Sequence, residues 1–166
     1  MTGYSGTPLA EKLGIVVGTH LLVVHEPEEF QAALGTLPEG VKRTSSFGGS
    51  SAFDVAVVFV RTRSSLERSF PRIAARMKAV GGLWIAWPKQ TAGVATDLNE
   101  NHLRAVVLPT GWVDNKVCAI DERWSGLRFV LRKERRPDAK ARKGSGTRKP
   151  APGSKGRTIR TPRRPS

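Results

Sequence analysis

Apolar and polar positions along this chain change period several times, and the changes divide it into strands and helices. His20-Leu21-Leu22-Val23-Val24-His25 is apolar and rich in β-branched residues, which predicts a first strand ending at Glu26-Pro27. Glu28 to Leu34 then reads as one helical stretch, Val41 to Ser45 as a short second strand, and Phe47 to Ala52 as a Gly- and Ser-rich loop. Phe53 to Val60 is almost wholly apolar, so it is a central strand. After it Leu66, Phe70, Ile73 or Ala74, and Met77 recur at helical spacing behind a candidate cap, Ser64, with Pro71 set to bend that helix or shift its start.

Gly81-Gly82-Leu83-Trp84-Ile85-Ala86-Trp87-Pro88-Lys89 is an unbroken apolar run that opens on two glycines and stops at proline and a cation. A strand apolar on both faces belongs inside a sheet covered by helices on each side. Thr96 reads as the N-cap of a helix from Asp97 to about Leu108. Trp112 to Ile120 and Leu127 to Arg132 then form an antiparallel hairpin. At the N-terminal side, Thr7-Pro8 starts a short helix that Gly14 stops. The order predicts an α/β fold: a single open, mostly parallel twisted sheet flanked by helices, Rossmann-like, ending in an antiparallel hairpin.

The formal charge of +14 over 166 residues changes this picture only once it is located. Residues 133–166 carry 13 Lys and Arg against Glu134 and Asp138, a net +11, which leaves +3 for residues 1–132. The chain therefore reads as one α/β domain, 1–132, and a basic Pro/Gly/Ser-rich tail, 133–166, which cannot bury enough apolar surface to fold alone. In that tail Lys140, Arg142, Lys143, Arg148 and Lys149 are the candidate nucleic-acid-binding residues, through sequence-independent contact with phosphates. A solvated, solubilising extension is the alternative.

Cys118 is the only cysteine, so no intramolecular disulfide forms, and the three histidines lack a metal-binding spacing; no metal site is expected. The N-terminal residues have neither a basic nor an apolar targeting region, and no apolar run approaches the ~20 residues that span a bilayer. A cytoplasmic protein without a membrane partner is the expectation.

In open α/β sheets ligands collect beyond the carboxyl ends of the strands. On that edge the predicted topology assembles Glu26, Arg61, Trp87, Lys89, Asp121, Glu122 and Trp124 as candidate ligand-binding residues. Cations there can hold an anionic group, a tryptophan can stack on a flat ligand, and the carboxylates can take hydroxyls or amines. The competing reading has the same carboxylates and cations pairing with each other and capping helices. A small anionic ligand or a protein partner is the leading expectation. No nucleophile turn, P-loop or GxGxxG fingerprint is present, which leaves catalysis open and leaning negative.

Several blocks carry a family resemblance: Gly3-Tyr4-Ser5-Gly6-Thr7-Pro8-Leu9 with Lys12-Leu13-Gly14, Leu83-Trp84-Ile85-Ala86-Trp87-Pro88-Lys89, Gly93-Val94-Ala95-Thr96-Asp97-Leu98, and Lys116-Val117-Cys118-Ala119-Ile120-Asp121-Glu122 with Trp124-Ser125-Gly126-Leu127. Over residues 3–132 the chain resembles a bacterial family of small α/β proteins known only as a domain of unknown function. Its second half also resembles the fold of S-adenosylmethionine-dependent methyltransferases. That resemblance implies a Gly-rich turn after the first strand, where this chain has His25-Glu26-Pro27-Glu28-Glu29-Phe30. Proline there removes a donor and the glutamates add bulk and charge, so S-adenosylmethionine is a disfavoured cofactor, with Glu26 left to hold a ribose hydroxyl.

Overall fold

In the computed structural model, which describes residues 7–46 and 52–136, six strands form one sheet in the order β2-β1-β3-β4-β6-β5. They are β1 (His20–Val24), β2 (Lys42–Thr44), β3 (Phe53–Phe59), β4 (Met77–Pro88), β5 (Trp112–Ala119) and β6 (Trp124–Leu131). The first four pair in parallel, and β6 lies antiparallel between β4 and β5. Helices α1 (Leu9–Lys12) and α2 (Phe30–Leu34) cover one face, and α3 (Arg63–Ala74) and α4 (Glu100–Val107) the other. This is the expected fold class: α/β, mostly parallel, closed by a hairpin. Sheet and helices belong to one compact unit, Met1–Glu134.

Side-chain alternation along β4 fills both layers. Leu83, Ile85 and Trp87 join Leu66, Phe70, Ile73, Leu103 and Val107 under α3 and α4. Trp84 and Ala86 join Leu9, Leu13, Phe30 and Leu34 on the opposite side. Trp84 has no exposed surface, and its indole Nε1–H donates to the Leu13 carbonyl at 3.0 Å. Burial of so large a side chain leaves that donor without water, so the bond to the end of α1 is the compensation.

Several boundaries move from their expected places, each for a local reason. Strand β4 begins at Met77, before the two glycines, because Met77 still pairs with Phe53 before the register slips. A Cβ on Gly81 would lie 2.8 Å from the Asp54 carbonyl oxygen and 3.0 Å from that of Phe53, so the irregularity closes only on glycine. Helix α3 takes Thr62 as its cap in place of Ser64, its hydroxyl accepting from the Ser65 N–H at 3.1 Å. Pro71 lies within α3 on an exposed face, where the carbonyl that loses its partner meets water. Asn99, not Thr96, caps α4, accepting from the His102 N–H at 2.9 Å, and the helix starts at Glu100. β6 starts at Trp124, so the turn before it is shorter than the loop expected over 121–126. Expectations for Gly3–Gly6, most of the 47–52 loop, and Lys140, Arg142, Lys143, Arg148 and Lys149 lie outside the described residues.

At the amino ends of the strands Asp54 ties three of them together. Its carboxylate accepts from the His20 N–H at 2.8 Å and pairs with Lys78 Nζ at 2.9 Å, linking the starts of β1, β3 and β4. Partial burial pushes the Asp54 pKa up, but the Lys78 hydrogen bond, the His20 N–H and the Lys78 charge outweigh it, so the pKa lies below its ordinary 3.8. A carboxylate depressed in the folded state adds stability above its unfolded pKa and loses it as pH falls through the folded one. Asp54→Asn should therefore lower unfolding stability at neutral pH by at most about 1 kcal/mol, because the pair is partly exposed. Urea unfolding of both proteins should converge in strong acid, below the ordinary carboxylate range; a difference independent of pH would mean that charge is not what Asp54 contributes.

Candidate functional site

The carboxyl ends of β1 and β3 and the start of β6 converge on one cavity of about 170 Å³. Its floor is Phe59 and Val60, where β3 ends, and one wall is the indole of Trp124. Phe59 meets that indole edge-on at 5.0 Å and 90°, and Phe30 packs on Phe59 at 4.9 Å. Glu29, just before α2, accepts from Trp124 Nε1 at 3.2 Å and sets the plane of the wall. The Arg61 guanidinium lies over the same ring, 5.5 Å from its centroid. No ion pair joins Arg61 to a carboxylate among the described residues.

His25 closes the site from β1. Its φ of 59° makes it the only non-glycine residue with positive φ among those described, a conformation that histidine tolerates better than most side chains. Its Nδ1 sits 3.3 Å from the Phe59 carbonyl oxygen. A carbonyl only accepts, so this contact assigns a proton to Nδ1 and, in the neutral tautomer, leaves Nε2 as an acceptor. Thr62 and Ser65 complete the lining from the first turn of α3.

A connecting segment holds that turn from outside. Thr96 Oγ1 donates to the Arg61 carbonyl at 2.7 Å, and an Asp97 carboxylate oxygen accepts from the Arg63 N–H at 2.8 Å. Leu98 anchors the segment by burying itself under α3 and α4. Thr96 and Asp97 were expected to begin a helix; instead they fasten the turn that carries the cavity.

Of the seven residues expected at this edge, the fold brings Arg61 and Trp124 together at the cavity. Glu26 stands next to it but pairs with Arg43 of β2. Asp121 accepts from the backbone N–H groups of Arg123 and Trp124 at 2.7 and 2.9 Å, which makes it the turn former that aims Trp124. Trp87 is turned into the layer beneath α3 and α4, on the far face of the sheet. The half-buried Lys89 is joined to the hairpin by its N–H, which donates to the Arg123 carbonyl at 2.8 Å; its side chain does not line the cavity, and Glu122 is exposed. His25, Phe59, Thr62 and Ser65 were not foreseen.

Cys118 is half-buried on the edge strand β5, where burial raises its pKa against the opposing charges of Lys12, Lys116 and Lys89. Among the described residues no three His, Cys, Asp or Glu side chains gather to hold a metal, and no helix is long and apolar enough to cross a membrane.

Solved structures place this architecture. A type 11 methyltransferase from Sulfolobus solfataricus, described as putative, is similar with a TM-score of 0.54 at 10% identity, over 79% of this chain and 94% of that one. Magnesium protoporphyrin IX methyltransferase from Synechocystis PCC 6803, with bound SAH, is similar with a TM-score of 0.52 at 11% identity, over 74% of this chain and 79% of that one. The fold is methyltransferase-like. No protein-family model matches the chain and no curated protein does, so the resemblance to a small bacterial family rests on the sequence blocks alone.

Replacing Asp97 by alanine frees the Arg63 N–H and unfastens one of two ties on the site turn. Asp97→Ala should cost about 1 kcal/mol in chemical unfolding, the usual effect of losing a helix cap. An unchanged midpoint would show that Thr96 alone holds the segment.

Proposed function

We propose that this protein is a ligand-binding α/β domain that takes a small anionic molecule at the carboxyl edge of its sheet, between His25, Arg61 and Trp124. One observation carries the reading. Arg61, which has no carboxylate partner among the described residues, lies over a fixed indole at the mouth of a cavity whose described lining holds no acid. A guanidinium so placed is oriented by the ring and keeps its N–H groups for an incoming oxyanion. Phe59, Val60 and Trp124 supply the apolar surface that a small ligand needs beside its charge.

A methyltransferase reading draws support from the shared fold, since one of the similar proteins was solved with SAH. The residues of this chain do not fit that cofactor. The turn after β1 has no glycine, Pro27 offers no N–H, and Glu26, the candidate ribose ligand, is engaged by Arg43. The cavity is also smaller than the roughly 300–1,000 Å³ of sites that enclose larger ligands. Binding of a small anion is therefore favoured over methyl transfer.

Calorimetry with a panel of small phosphates, carboxylates, S-adenosylmethionine and its demethylated product tests both readings. The anion reading expects binding that Arg61→Ala weakens by about tenfold, as for loss of a charge-assisted hydrogen bond. Heat from S-adenosylmethionine alone would reverse the preference, and no heat from any compound would remove both.

The basic tail is a second, independent proposal: weak, sequence-independent contact with nucleic acid through Lys140, Arg142, Lys143, Arg148 and Lys149. Its support is the net +11 of residues 133–166. Changing those five residues to glutamine in the full chain should weaken gel-shift binding to a random-sequence duplex and flatten its salt dependence. Equal affinity before and after would leave the tail as a solubilising extension.

A further inference from the structure

The polar groups that line the cavity differ in kind. Arg61 brings N–H groups from the end of β3, Thr62 a hydroxyl from the cap of α3, and Ser65 a second hydroxyl from the first turn. The Thr62 oxygen accepts the Ser65 N–H at 3.1 Å through a lone pair, which leaves its hydroxyl hydrogen able to donate. Three donor groups on three successive parts of a turn suit three oxygens in tetrahedral array better than the two coplanar oxygens of a carboxylate. The fourth polar group differs in kind. With His25 Nδ1–H donating to the Phe59 carbonyl, Nε2 of the neutral tautomer presents a lone pair. An acceptor beside three donors calls for a ligand with one hydrogen to give. At about 170 Å³ the cavity is on the scale of a phosphoryl group with a chain of two or three carbons rather than of a large cofactor.

We propose that the site binds a phosphate monoester of a short hydroxylated carbon chain, with Arg61, Thr62 and Ser65 on the phosphoryl oxygens and His25 Nε2 accepting from the free hydroxyl. This rests on the anion-binding reading above and narrows it. The left-handed backbone of His25 agrees with it, since a conformation that most side chains avoid is kept where it aims a polar group at the cavity.

The test is calorimetric titration of the full chain with glycerol 3-phosphate, glyceric acid, glycerol and inorganic phosphate, with circular dichroism confirming that each variant folds. The expected order places glycerol 3-phosphate tightest, with glyceric acid weaker by about tenfold. Ser65→Ala should lower affinity for both phosphates by several-fold. His25→Asn, which tolerates positive φ, should lower affinity for glycerol 3-phosphate and leave inorganic phosphate unchanged. Glyceric acid binding as tightly as the ester, with Arg61→Ala still harmful, would overturn the phosphate assignment and keep the anion site. Equal losses for both phosphates in His25→Asn would overturn the role of His25. Phosphate binding indifferent to both Arg61→Ala and Ser65→Ala would place the anion elsewhere, and no binding by either acid would remove the underlying reading as well.

Discussion

Strand β4 has to satisfy two apolar layers at once, and the remaining architecture follows from that requirement. Its side chains alternate between the layer of α3 and α4 and the layer of α1 and α2, so neither helix pair can leave without exposing half of it. Its backbone has the same double duty, parallel to β3 on one edge and antiparallel to β6 on the other. Trp84 binds the arrangement through both size and polarity: a fully buried ring whose donor reaches the end of α1. Glycine suits its partner strand for the same reason, since a Cβ on Gly126 would lie 2.9 Å from the tip of the Ile120 side chain and 3.2 Å from the Trp84 ring.

Much of this was readable from hydrophobic pattern. Runs such as Val55–Phe59 and Leu83–Trp87 are apolar at every position, a signal that survives any uncertainty about their ends. Helix starts were less legible because the segment offers several hydroxyls and amides that can cap. Thr62 or Ser64, and Thr96 or Asn99, are equivalent locally; tertiary contacts choose between them. Thr96 was taken from α4 by the Arg61 carbonyl, an interaction 35 positions away that no window on the sequence contains.

Recognising the candidate site had the same boundary. The topology rule points to the sheet edge where the cavity lies and to Arg61 and Trp124, because one follows the end of β3 and the other begins β6. It could not separate side chains that point into the cavity from those that serve the turns. Asp121 and Glu26 have the chemistry of ligand-binding groups, yet backbone N–H groups hold one and Arg43 the other. Trp87 lies on the face away from the cavity because strand parity decides orientation, and the register of β4 is definite only with its pairing to β6. His25 left no trace in the pattern, since a positive φ is a property of the folded turn.

The wall and floor of the cavity come from distant parts of the chain: Glu29 orients an indole 95 positions further on. During synthesis Phe59 and Arg61 emerge well before Trp124. A nascent chain halted between them displays the cation without the ring beneath it, and the floor without its wall. The pairing of β6 with β4 is what brings Trp124 against Phe59, so the cavity exists only where β6 is in place. Any molecule seated there would favour only the completed sheet.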